Sequence, residues 1–199
     1  MPDSSFIKLA SFFGIINPIL TFILIGLAIS QASWFSWTEN ALSDLGVHAE
    51  SATLFNSGLI LGGILTLVFA FGMLRFYGDQ AVGRGGAFFL LLAGIFLASI
   101  GIFPETAPNN IHYVVSVAFF AALPLSLLFQ SVALLQKPKN RTLGAFTLAM
   151  AIIALIPWTI WIPLKPYRGV AIPELVSAAA AAFWSISMGT KLMRQREPC

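Results

Sequence analysis

Asp44 and His48 stand four residues apart, and Glu105 precedes His112 by seven, so two imidazoles each have a carboxylate close by in the chain. On a helix Asp44 and His48 would share one face, although Leu45-Gly46 between them can break it. If the segments carrying them converge, with Glu174 joining, Asp44, His48, Glu105 and His112 form a carboxylate–imidazole cluster. Such side chains suit zinc or another divalent ion, which would activate water for ester hydrolysis. HExxH, a paired-His helix and CxxC are all absent from the sequence. Without metal, His48 or His112 as base beside Ser43 or Asp44 would suit hydrolysis or acyl transfer on a lipid. The favoured expectation is a hydrogen-bonded pocket that takes a polar headgroup, with Asp44, Asn56, Glu105, His112, Trp161, Lys165 and Arg168 binding it.

Lys165 and Arg168 share a segment with Tyr167. An arginine forks onto phosphate or carboxylate, so the pair reads as a clamp for a lipid phosphate, or as side chains snorkelling to headgroups. Trp34, Trp37, Trp158 and Trp161 cluster near the same segments, as tryptophans do at a membrane interface.

These residues lie between long apolar runs, at about 6–30, 52–74, 87–103, 114–135, 143–163 and 172–190. Most are ~20 residues long, the length of helix that crosses a ~30 Å hydrocarbon core. Hydrophobic residues make up 58% of the chain and charged ones 10%, far below the ~25% charged of a soluble protein. The expectation is an all-α, multi-pass cell-membrane protein: a single domain of six transmembrane helices spanning 1–199, with cytoplasmic termini. With the N-terminus inside, Lys8, Arg75, Arg84, Lys137, Lys139, Arg141, Lys191, Arg194 and Arg196 are inner, and only Lys165 and Arg168 are outer. That asymmetry obeys the positive-inside rule. The outer segments are then 31–50, 104–112 and 161–174, and they hold both histidines. The first run is too long for a signal-peptide core and is interrupted by Asn17-Pro18, so it is read as a retained helix. The net charge of +3 is explained by anionic inner-leaflet lipid and does not suggest nucleic acid. The one cysteine, Cys199, allows no intrachain disulfide.

Glu50, Glu105 and Glu174 fall near the outer starts of the second, fourth and sixth helices. Arg75, Lys137 and Lys191 fall near their inner ends, so both sets complement the helix dipole. Two small-residue stripes, Gly58/Gly62 and Ser177/Ala181/Ser185/Gly189, suggest close contact of helices two and six. Helix six would be central, with Phe-rich helices three and four at the perimeter. Pro18, Pro124 and Pro157 free carbonyls that lipid cannot satisfy, and Asn17 is a local partner for the first.

The segments WTENALSDLGVHAESATLFNSGLILGG and GIFPETAPNNIHYVVSVAFF resemble an archaeal and bacterial membrane family catalogued as domain of unknown function 998. The shared features are LSDLG after the first helix, FNSG entering the second, GxFPE ending the third and a histidine opening the fourth. More distantly they resemble the Frag/DRAM/Sfk six-helix proteins, one branch of which is associated with lipid remodelling of GPI anchors. The resemblance implies a six-helix bundle whose motif residues, Ser43, Asp44, Gly46, Phe55, Asn56, Pro104, Glu105 and His112, lie on the non-cytosolic side. Membrane metal hydrolases such as alkaline ceramidases use three His, an Asp and a Ser; this chain has two His in all.

Three functions are carried forward. The first is binding or remodelling a lipid headgroup, with membrane lipids as partners and a homo-oligomer compatible. The second is a membrane-embedded lipid hydrolase or acyltransferase. The third is a small-solute transporter or channel, against which stands the near absence of charge within the helices.

Overall fold

A computed structural model of the protein describes residues 4–194; Arg196 and Cys199 lie outside the described residues. Six helices are long and apolar enough to cross a membrane: α1 (Ser4–Gln31), α2 (Ala52–Tyr77), α3 (Ala81–Ile102), α4 (Ile111–Leu135), α5 (Arg141–Leu164) and α6 (Ala171–Met193). In hydrocarbon a helix satisfies its backbone internally, which is why each apolar run adopts this form. Helix α3 begins six residues before the expected position 87, so Arg84 stands inside it. The glycines at 83, 85 and 86 look like a turn in sequence but serve packing. Gly83 lies under the Tyr77 ring, and Gly86 lies against Gln130 and the Ser126 carbonyl of α4.

The helices form a closed ring in chain order. Each packs on the next, and α6 returns to pack on α1. Two expectations about packing are therefore corrected. The glycine stripe of α2 and the Ser185/Gly189 half of the α6 stripe both meet α1 rather than each other, while Ser177 is bonded to α5. Gly58 abuts Leu24 and Gly62 abuts Thr21, while Gly189 abuts Ser11 and Ile15. The small residues admit α1 between the other two. Helices α3 and α4 are not a perimeter either, because both line the interior; α5 is the helix that contributes nothing to the inner wall.

The carbonyl freed by Pro18 finds an unexpected partner. Pro18 removes the amide that would bond the Gly14 carbonyl, and the Ser185 hydroxyl of α6 donates to that oxygen at 2.6 Å. Asn17 instead ties α1 to α2. Its Nδ2 donates to the Gly62 carbonyl at 3.1 Å and to Thr66 Oγ1 at 2.9 Å.

Inside the ring the core divides into an outer and an inner apolar cluster. Between them runs a channel whose wall includes Ile25, Phe55, Leu59, Ala93, Phe119 and Trp184. The space open to the centre of a water-sized sphere is ≈ 140 Å³. Its wall runs along α6 from Glu174 to Ser185, and eleven residues of helix rise ~16 Å. Spread over that depth, the volume suits one slender chain.

Candidate functional site at the outer end of the ring

The outer loops meet over the mouth of this channel. The first loop carries a 3-10 turn, Leu42–Gly46, and four side chains hold it. Glu174 Oε2 accepts the Leu42 amide at 2.6 Å, and Ser43 Oγ donates to Glu105 Oε1 at 2.7 Å. Ser51 Oγ donates to the Leu45 carbonyl at 2.7 Å, and Asn56 Nδ2 donates to the Gly46 carbonyl at 2.9 Å. Asp44 Oδ2 accepts the Asn40 side-chain amide at 2.7 Å and the Ala41 backbone amide at 3.1 Å, folding the approach to the turn.

The third outer loop is stitched to the first through backbone. The Gly169 amide donates to the Thr38 carbonyl at 2.8 Å, and the Val170 and Ala171 amides donate to the Asn40 carbonyl at 3.1 and 3.0 Å. A side chain at Gly169 would collide with the Asn40 backbone. The second loop turns on Asn109 and Asn110, both left-handed at φ 60° and 54°, a conformation asparagine tolerates better than most residues. That turn brings His112 back onto the end of α3, where Nδ1 lies 2.7 Å from the Phe103 carbonyl. Such a contact puts the proton on Nδ1 and leaves Nε2 facing Glu105 Oε1 at 3.8 Å.

Ser43, Asp44, Glu105 and His112 thus lie together, with Glu174 on the other side of the turn. Partial desolvation first, and then the charge of Asp44, hold the Glu105 carboxyl above the usual carboxylate range, against the Ser43 hydrogen bond and the weaker pull of His112. Desolvation and like charge thus outweigh the nearby imidazole at this carboxyl.

His48 does not join them. The turn ends at Gly46 and has the 3-10 rather than the α period, so Asp44 and His48 share no helix face. His48 stacks instead on Trp34, ring centroids 3.9 Å apart, and Trp34 Nε1 donates to Glu50 Oε1 at 2.6 Å. The Glu50 backbone amide and then Trp34 hold this exposed carboxyl below the usual range. Among the described residues, no three His, Cys, Asp or Glu side chains are grouped to hold a metal ion. Of Glu50, Glu105 and Glu174 only Glu174 falls in a helix's first turn, and its carboxyl accepts the Leu42 amide.

Trp161, Lys165 and Arg168 lie apart from the channel, in an external groove with Thr38, Glu39, Pro166 and Tyr167. Arg168 Nε faces Glu39 Oε2 at 3.9 Å with both side chains largely in solvent, a pairing worth little.

Sequence reasoning missed Asn40 and the latch formed by Glu174. Asn40 carried a usable signal, the four-residue spacing to Asp44; Glu174 was named for the cluster, but its bond to the Leu42 amide, 132 residues away, has no local signal. With this geometry in hand, comparison with protein families is informative. A family model described as Protein of unknown function (DUF998) matches residues 15–191. The chain belongs to that family. The match runs from within α1 to the last turn of α6, so every residue of the DUF998 outer cluster lies inside it. No curated protein and no solved structure matches the chain.

Proposed function

We propose that this membrane protein holds a single-chain amphiphile, its tail in the channel and its polar end under the Leu42–Gly46 turn. One observation carries the reading: Ser43 and Glu174 belong both to the polar cluster and to the wall of the apolar channel. An apolar cavity roofed by a few convergent polar groups is the usual form of a small-molecule site. Of the cluster's acids Glu174 lines the channel itself, with Asp44 and Glu105 next to Ser43, while Lys165 and Arg168 line the separate groove. The matching head is therefore an amine or a hydroxyl, since a phosphate or carboxylate would find acids and, among the described residues, no cation beside the channel. Lipids of the surrounding membrane are the natural source of such a molecule.

Binding of a long-chain amine, alcohol and carboxylate of equal length to the purified protein tests this. The amine and the alcohol should bind and the carboxylate should not. Ala178→Phe, which fills the channel, should abolish uptake while the protein stays folded. Equal affinity for the carboxylate, or unchanged binding to Ala178→Phe, would overturn the reading.

A second reading is favoured by the Ser43–Glu105 hydrogen bond, since a hydroxyl donating to a carboxylate is the arrangement of a nucleophile and its base. It requires turnover of a lipid ester that Ser43→Ala eliminates. Amphiphile binding with no ester cleavage would leave the binding reading alone.

A further inference from the structure

One buried polar group on a side chain of the channel wall lacks a partner, deep in the ring. Trp184 lines the channel and is 1% exposed, and its Nε1–H has no acceptor among the described residues. A buried indole N–H usually finds a partner, and leaving a buried donor unpaired is costly. The side chain is firmly held: Phe69 packs on its ring, with centroids 5.9 Å apart, and the neighbouring Ser185 is bonded to Gly14.

The donors around it are already committed. Asn17 Nδ2 serves the Gly62 carbonyl and Thr66 Oγ1; Thr66 Oγ1 donates to the Gly62 carbonyl at 2.8 Å, and Thr21 Oγ1 donates to Asn17 Oδ1 at 3.2 Å. At this depth on α1, α2 and α6 the uncommitted polar group is the indole N–H, and the chemistry it lacks is an acceptor.

Resting on the amphiphile reading above, we infer that the ligand carries a second polar group, an acceptor oxygen such as a hydroxyl, ether or ketone, which takes the Trp184 Nε1–H. Trp184 lies ten residues along α6 from Glu174, so this oxygen sits ~15 Å from the polar head. The ligand class is thus a single chain with a donor at one end and an acceptor at the other, separated by an apolar span. A plain alkyl chain would enter the channel but leave the indole unpaired.

Three compounds separate these statements: dodecylamine, the same amine with a terminal hydroxyl, and the same amine with a terminal methoxy group. Wild-type protein should bind both oxygenated amines about three- to tenfold more tightly than dodecylamine, the range expected of one buried hydrogen bond. The methoxy compound should keep the gain, because it can only accept. Trp184→Phe should bind all three equally. If that variant does not fold, the wild-type comparison of the three compounds decides alone. Equal affinities in wild type, a gain confined to the hydroxyl compound, or a preference that survives in Trp184→Phe would overturn the inference while leaving the amphiphile reading intact. Failure of all three to bind would overturn both.

Discussion

At the scale of single residues, Glu105 is the group whose environment most clearly sets its behaviour. Its carboxyl is held above the ordinary value of 4.5 by burial and by Asp44. The folded protein therefore keeps a proton that the unfolded chain has already released, and stability falls as pH rises through that interval. Glu105→Gln removes this contribution while keeping an oxygen for Ser43. The melting temperature of Glu105→Gln relative to wild type should increase as pH rises above the ordinary carboxyl value of 4.5; a constant difference would mean an unperturbed Glu105, and a shrinking one a lowered pKa. The identity of these residues was legible in the sequence, because acids and imidazoles are scarce in an apolar chain. Their pairing was legible only in part. Glu105 with His112 follows from one short loop, whereas Ser43 with Glu105 is a contact across 62 residues that no local spacing encodes.

At the scale of helices, apolar length and charge marked all six spans, and the errors came from glycine and proline. A glycine read from sequence is ambiguous between a turn and a close contact, and the glycines at 83–86 were the second kind. Small-residue stripes announce that some helix approaches without naming which one, and here α1 was the unnamed partner. At Gly63 a side chain would meet the backbone of Gly94 and Ala98 in α3, at 2.5 Å. Gly63→Leu should therefore destabilise the detergent-solubilised protein by ~1–3 kcal/mol or more through overpacking, while Val117→Ala on an exposed face should melt as wild type does. Ser185→Ala deletes only the hydroxyl and strands the Gly14 carbonyl, at a cost of ~1–3 kcal/mol. Thermal unfolding of the three variants side by side checks both claims; a wild-type melting curve for Ser185→Ala would mean that Gly14 needs no partner.

For the whole molecule, the charge asymmetry predicts which end faces the cytoplasm. The exposed positions Thr106 and Lys139 lie in loops at opposite ends of the ring. In a background with Cys199→Ser, an impermeant thiol reagent applied to intact cells should label Thr106→Cys and spare Lys139→Cys. The reverse pattern would invert the orientation and place the acidic cluster on the cytoplasmic side. Topology of this kind is readable because it depends on sums over the chain, whereas the ring and its channel depend on how helix faces meet, which sums do not contain.

The closure of α6 onto α1 also sets an order of assembly. Helices α1 to α5 can each dock on the one just made, as synthesis proceeds. The last segment to emerge is the one that supplies Ser185 to the Gly14 carbonyl and Glu174 to the Leu42 amide. Before it arrives, the first helix carries an unbonded carbonyl at membrane depth, and the outer turn lacks its latch. An interrupted chain ending after α5 would thus present a polar seam to lipid, a mark by which the membrane's proteases could tell an unfinished copy from a finished one.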